Sequence, residues 1–152
     1  MTIEDDIAFL QRVPTLNLLS RPALRILAIG AQSRYVHGGE ILFTAGDEAE
    51  GGYVVQEGSF NLMADTADED KAVVVGPYTL LGEVALFTES QRMATATALE
   101  PSTVLLIPRP LFRKMLDSFP DSARNLRDAL ASRLNESTRE ICDLRAVLDS
   151  YK

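Results

Sequence analysis

The run Gly82-Glu83-Val84-Ala85, followed by Gln91-Arg92-Met93-Ala94-Thr95, gathers the residue types in this chain that could hold an anion. Gly82 permits a sharp turn out of the apolar Leu80-Leu81 pair. The stretch from Glu83 to Phe87 then reads as one short helical turn. The first N–H groups of such a turn, those around Val84 and Ala85, have no partners within the helix. Together with the helix dipole they favour a negative charge. Arg92 lies nine residues after Glu83 and carries a planar fork suited to a phosphate. Glu83 adds an acceptor for a sugar hydroxyl, and an anion site with a carboxylate beside it suits a ribose phosphate better than a bare phosphate. The plainer alternatives are a surface ion pair between Arg92 and Glu83 or Glu89, and a Glu83 that merely complements the helix dipole.

Three regions of different periodicity surround this stretch. Residues 1–34 show helical spacing, with Ile7, Leu10 and Val13, then Leu24, Leu27 and Ala28 after the break at Ser20-Arg21-Pro22. Ser20 reads as an N-cap and Pro22 fits a first turn. Residues 35–108 turn to short apolar runs: Ile41-Leu42-Phe43, Gly52-Tyr53-Val54-Val55, Ser59 to Met63, Ala72 to Val75, Thr95 to Ala98 and Thr103 to Ile107. Turn signals separate them at His37-Gly38-Gly39, Ala45-Gly46-Asp47, Glu57-Gly58 and Gly76-Pro77, and the acidic Asp65 to Asp70 reads as a solvated hairpin tip. From Arg109 the helical period returns, first in a short helix begun by Pro110 and ended near Phe119-Pro120. A last helix opens at Asp121, and its stripe closes on Ile141, Leu144, Leu148 and Tyr151, a coiled-coil rhythm. Many short strands with close turn spacing argue for an α+β, mainly-β chain of one domain, residues 1–152, built as a roll or a sandwich. Short N-terminal helices (1–34) and C-terminal helices (109–152) flank a roll at 35–108, with the anion-holding stretch at 81–95.

Bulk properties narrow the function. The chain has 152 residues, 46% hydrophobic and 24% charged, as in an ordinary globular protein. A net charge of −7 argues against direct nucleic-acid binding, which needs clustered Lys and Arg. One histidine, His37, and one distant cysteine, Cys142, make a metal centre unexpected. No nucleophile–base pair is arranged for catalysis, so an enzyme is not expected. No apolar run approaches the ~20 residues of a membrane span, and the acidic start differs from a signal peptide. The expected location is the cytoplasm.

Gly82-Glu83, a small apolar turn and Arg92-Met93-Ala94-Thr95 at this spacing are similar to the phosphate-binding cassette of cyclic-nucleotide-binding domains. Gly38-Gly39-Glu40, Gly46-Asp47 and Tyr53-Val54-Val55-Gln56-Glu57-Gly58 resemble that family's turn-and-strand signature. Arg133 to Thr138 and Leu148-Asp149 resemble the long helix of the catabolite activator type. The resemblance implies that Glu83 accepts the ribose 2′-hydroxyl, that Arg92 pairs with the cyclic phosphate, and that the N–H groups of Ala85 and Met93 complete the cradle. Ser137 and Thr138 would meet the adenine amino group. The chain departs from the family at Met93 (commonly a small residue), at Gln91 (commonly Pro) and at Tyr78-Thr79 (commonly Gly-Asp). The lack of Ser or Thr at position 93 tilts the expected ligand from cyclic GMP to cyclic AMP.

The resemblance implies a double-stranded β-helix jelly roll (a β-roll) that acts as a sensor, relaying nucleotide binding to an effector protein by moving its C-terminal helix. The coiled-coil rhythm of that helix leads to the expectation of a dimer through it, the alternative being a helix packed along its own roll. The second reading is a dimeric interaction module of the same fold whose site no longer binds nucleotide, with Met93 crowding the phosphate. No helix-turn-helix follows before Lys152, which fits either a stand-alone module or the sensor part of a longer regulator.

Overall fold

Residues 2–64 and 72–132 are described by a computed structural model. The expected hairpin tip at Asp65 to Asp70, the Ser137-Thr138 pair, Cys142 and the stripe from Ile141 to Tyr151 lie outside these residues. The expectation of a dimer through the C-terminal helix falls there too.

Helix α1 (Ile3–Leu10) starts from a reciprocal cap: Thr2 Oγ1 accepts from Asp5 N–H while Asp5 Oδ2 accepts from Thr2 N–H, both at 3.2 Å. A short 3-10 turn, Leu16–Leu18, leads to α2 (Arg21–Gly30). Ser20 caps α2 as expected, its Oγ accepting from Ala23 N–H, and Pro22 sits in the first turn. The helical reading to residue 34 runs too far, because β1 (Gln32–Val36) begins there. Only Val36 of this strand is buried, so it carries no apolar signature; pairing with a later strand makes it a strand.

The rest of the roll comprises β2 (Ile41–Phe43), β3 (Glu48–Ala49), β4 (Gly51–Glu57), β5 (Phe60–Ala64), β6 (Val73–Val75), β7 (Leu80–Leu81), β8 (Ser90–Gln91), β9 (Ala94–Ala98) and β10 (Ser102–Pro108). A single helical turn, α3 (Glu83–Phe87), stands between β7 and β8; α4 (Arg109–Ser118) and α5 (Pro120–Ser132) follow the roll. The strands form two four-stranded antiparallel sheets, ordered β1-β10-β4-β7 and β2-β9-β5-β6, with β3 and β8 paired on their own. This is the mainly-β jelly roll that the sequence implies.

Two cores follow from the faces of the first sheet. Tyr53, Val55, Val104 and Leu106 point into the roll and pack with Val36, Phe60, Leu81, Ala96 and Ala98. Their neighbours Val54, Leu105 and Ile107 point outward and pack under the helices with Leu24, Leu27, Phe87, Phe112 and Met115. A sheet covered on both faces accounts for the unbroken apolar runs of β4 and β10, where alternation is lost. The second sheet buries one face only, leaving Ile41, Met63 and Val74 exposed on the other.

One turn is held against its backbone preference. Tyr78, between β6 and β7, has φ +70°, a region where a non-glycine residue costs on the order of 1–3 kcal/mol. Glycine is common at this position in the family that the sequence resembles, and the conformation explains why. Here the ring is clasped by α1 and the turn after it: Phe9 stacks on it at 4.9 Å, and Arg12 lies 4.6 Å from its centroid and donates to its hydroxyl at 3.1 Å. The clasp ties the first helix to the strand that delivers Gly82.

Candidate functional site

The pairing of β7 with β4, Tyr53 with Leu81 and Val54 with Leu80, carries Gly82 to the start of β4. Gly82 ends the strand and caps α3 with φ +82° and ψ 45°, a left-handed conformation that glycine adopts without strain. Glycine is required for a second reason: a Cβ here would collide with Nη1 of Arg92.

Arg92 reaches that point from the other side of the cassette. Its backbone is fixed twice to the turn after β2, where Gly46 N–H donates to its carbonyl at 2.8 Å and its own N–H donates to Asp47 O at 2.7 Å. The side chain is 7% exposed. Nη2 donates to the carbonyl of Gly51 at 2.8 Å, and the guanidinium lies 4.5 Å from the Phe43 ring centroid and 5.2 Å from that of Tyr53. Nη1 is buried with no hydrogen-bond partner among the described residues. Burial lowers the pKa of Arg92 from its ordinary value, opposed by Tyr53, Glu50 and Asp47, while Arg109 adds to the lowering. The group stays charged, since a guanidinium cannot be deprotonated in a protein. A buried cation with a free donor costs at least ~1–3 kcal/mol, and an anion at that donor removes the cost.

The other expected residues take distinct places. Glu83 is the half-buried first residue of α3, and Val84 is half-buried against the helical core. Ala85 is 1% exposed, and its N–H, expected in the cradle, donates to Gly82 O at 3.0 Å instead. Met93 is 70% exposed, so its side chain does not crowd the buried guanidinium. Ser137 and Thr138 lie outside the described residues. The structure therefore brings Gly82, the start of α3 and Arg92 together, and says nothing of the base-contacting pair. Among the described residues no group of three or more His, Cys, Asp or Glu could hold a metal ion. No helix there is long and apolar enough to cross a membrane.

Sequence reasoning missed the residues beneath Arg92, namely Phe43, Gly51 and the ring of Tyr53. The one signal was the Gly51-Gly52 doublet before an apolar run. A Cβ on Gly51 would strike the carbonyl of Ile107, so glycine lets β4 approach β10 there while its own carbonyl takes Arg92. A second arginine, Arg109, opens α4 behind the cassette. Its Nε donates to Ala85 O at 3.0 Å, its Nη2 donates to Ala49 O, and its backbone N–H donates to Glu50 O at 3.0 Å. An open cleft of about 710 Å³ is lined by Arg109 together with Glu48, Glu50, Glu89, Ser90 and Gln91; Arg92 is not among its lining residues.

With this geometry in hand, comparison with known proteins is informative. Residues 33–119 match the model of the family described as Cyclic nucleotide-binding domain. The chain is 31% identical over 112 residues to the Cyclic AMP receptor protein of Thermus thermophilus, which covers 72% of this chain and 52% of that protein. It is 28% identical over 136 residues to Lysophospholipase NTE1 of Chaetomium globosum, covering 88% of this chain but only 9% of the relative. Among solved structures, the N-terminal domain of a transcriptional regulator from Streptomyces coelicolor superposes with a TM-score of 0.74 at 31% identity, over 84% of this chain and 91% of that one. The chain thus spans about half or less of the length of these two curated relatives.

Proposed function

Because the chain belongs to the family of cyclic nucleotide-binding domains, we propose that it is a regulatory module that binds cyclic AMP and passes the binding on through its C-terminal helices. The observation that carries this reading is Arg92: a buried guanidinium, fixed on three sides, whose free Nη1 lies over the glycine that starts α3. A ribose cyclic phosphate fits the vacancy in hydrogen bonding. Its phosphate would pair with Nη1 of Arg92 and with the N–H groups at the start of α3, and Glu83 would accept the 2′-hydroxyl. Since the N–H of Ala85 turns back to Gly82, the Glu83 and Val84 groups ahead of it, together with Met93 N–H, are the better candidates for the cradle.

Cyclic AMP is favoured over cyclic GMP for two reasons. Position 93 is a methionine with no hydroxyl to offer, and the name of the Thermus relative carries that ligand. Ser137 and Thr138 are proposed to meet the base from the C-terminal helix. The relay to a partner has a physical route in Arg109 and Arg113 of α4, which bond to the carbonyls of Ala85 and Phe87 in α3, the latter at 3.4 Å. A ligand that pulls on α3 pulls on those bonds, and differential contact of this kind is what a switch requires. An effector protein and a homodimer through the last helix belong to the same proposal. The reading is tested by titrating the purified chain, stripped of nucleotide by unfolding and refolding, with cyclic AMP and cyclic GMP. One-to-one binding that Arg92→Ala removes without unfolding the protein is the expected result.

A further inference from the structure

We propose that Phe43 and Tyr53 are positioning residues that hold Arg92 in its anion-binding pose before any ligand arrives; this rests on Arg92 being the phosphate-binding group. The two rings stack on each other, 5.9 Å between centroids at 21°, and the guanidinium lies against both. A guanidinium is planar and more weakly hydrated than an ammonium, so it packs on aromatic faces more readily. The platform is itself fixed. The hydroxyl of Tyr53 accepts from Arg34 Nη1 at 2.8 Å, and Arg34 Nη2 pairs with Glu50 at 3.4 Å. Phe43 comes from β2, held to β9 opposite Ala96, so the ring also faces the roll's interior core.

The alternative poses of Arg92 show why such a clamp is needed. Asp47 and Glu50 both lie close enough to act on its charge, and Glu50 is exposed at the mouth. A long, flexible side chain with one carbonyl bond would swing out to pair with either carboxylate in water. Both rings pack against the guanidinium, the carbonyl of Gly51 takes Nη2, and Nη1 points over Gly82. The clamp thus converts a flexible cation into a fixed donor, and ligand binding does not have to order it.

Two measurements on the ligand-free and titrated protein test this. In the amide spectrum of the nucleotide-free chain, the Nε–H resonance of Arg92, assigned through its loss in Arg92→Lys, should be shifted upfield by the ring currents. It should return toward the free-arginine position in Phe43→Leu, which keeps apolar bulk but removes the ring. Affinity for cyclic AMP should fall about tenfold in Phe43→Leu and recover to within about threefold in Phe43→Trp, an effect that simple core filling by leucine does not produce. Tyr53→Phe, which keeps the ring and frees it from Arg34, gives a second and milder perturbation, with a smaller shift change. An unshifted Arg92 resonance in the unaltered chain, or a Phe43→Leu variant that binds as tightly as the original, overturns the clamp. A chain that shows the shift and its loss in Phe43→Leu, yet binds no cyclic nucleotide, upholds the clamp and overturns the phosphate reading instead.

Discussion

Arg92 and Arg109 both reach the turn at α3, and the way each is satisfied separates the proposed binding group from a structural one. Arg109 spends its donors on the protein: Nε on Ala85 O, Nη2 on Ala49 O, with its backbone N–H on Glu50 O. It fastens α3, β3 and the start of α4 to one another. Arg92 is more deeply buried yet spends only Nη2 on a carbonyl, and Nη1 has no partner among the described residues. A fold gains nothing from burying an incomplete cation. The deficit at Arg92 has a use if a ligand completes it, whereas Arg109 is fastened to the carbonyls around it.

Substitutions can break this comparison in graded ways. Arg92→Ala should weaken cyclic AMP binding by about a hundredfold or more, since truncating one partner of a buried charged pair costs ~2–5 kcal/mol. Thermal stability should fall little, because the loss of one hydrogen bond and of the contacts with Phe43 and Tyr53 is offset by removing a buried donor with no partner among the described residues. Calorimetry and a melting curve on the same sample read both quantities. Gly82→Ala should damage site and fold together: the left-handed φ costs roughly 1–2 kcal/mol for a Cβ-bearing residue, and the Cβ evicts Arg92 from its pose. A joint loss of affinity and melting temperature is expected. Arg109→Ala should show the reverse pattern to Arg92→Ala. Loss of two charged hydrogen bonds to part-buried carbonyls should cost about 2 kcal/mol of stability, or roughly 4–8 °C in melting temperature, while affinity changes by less than about threefold. A variant of Arg109 that loses binding and keeps stability would erase the distinction between the two arginines. Met93→Ala should do least, with affinity within about twofold, because the side chain is 70% exposed and surface changes usually stay within ±0.5 kcal/mol.

The contrast between the two arginines also marks how far the sequence could be read. The cassette was legible because it is local: Gly82, Glu83 and Arg92 fall within a dozen residues, and turn, helix start and cation each have a physical reason at their spacing. The environment of Arg92 was not, because Phe43, Gly51 and Tyr53 lie some 40 residues earlier and reach it only through sheet register. The strands β2, β4, β5, β6, β9 and β10 announced themselves, and Ser20 marked the start of α2. Strand β1 did not, since four of its five residues are exposed and its order comes from β10. The two-residue strands β3 and β8 carry too few side chains to show any period. Tyr78 gave no sign of its positive φ, because an aromatic residue there is held by Phe9 of α1 and Arg12 just after it rather than by any preference of its own. Methionine after the arginine suggested a crowded phosphate site on size alone, whereas the backbone at Arg92 turns one side chain inward and leaves the next in solvent.

The most direct test of the central claim is a calorimetric titration of nucleotide-stripped protein with cyclic AMP, run beside Arg92→Ala at the same concentration. Saturable heat at one ligand per chain, absent in a folded Arg92→Ala variant, is the predicted result. No heat from the unaltered, folded chain, or equal binding by both proteins, would contradict the assignment of Arg92 as the group that takes the phosphate.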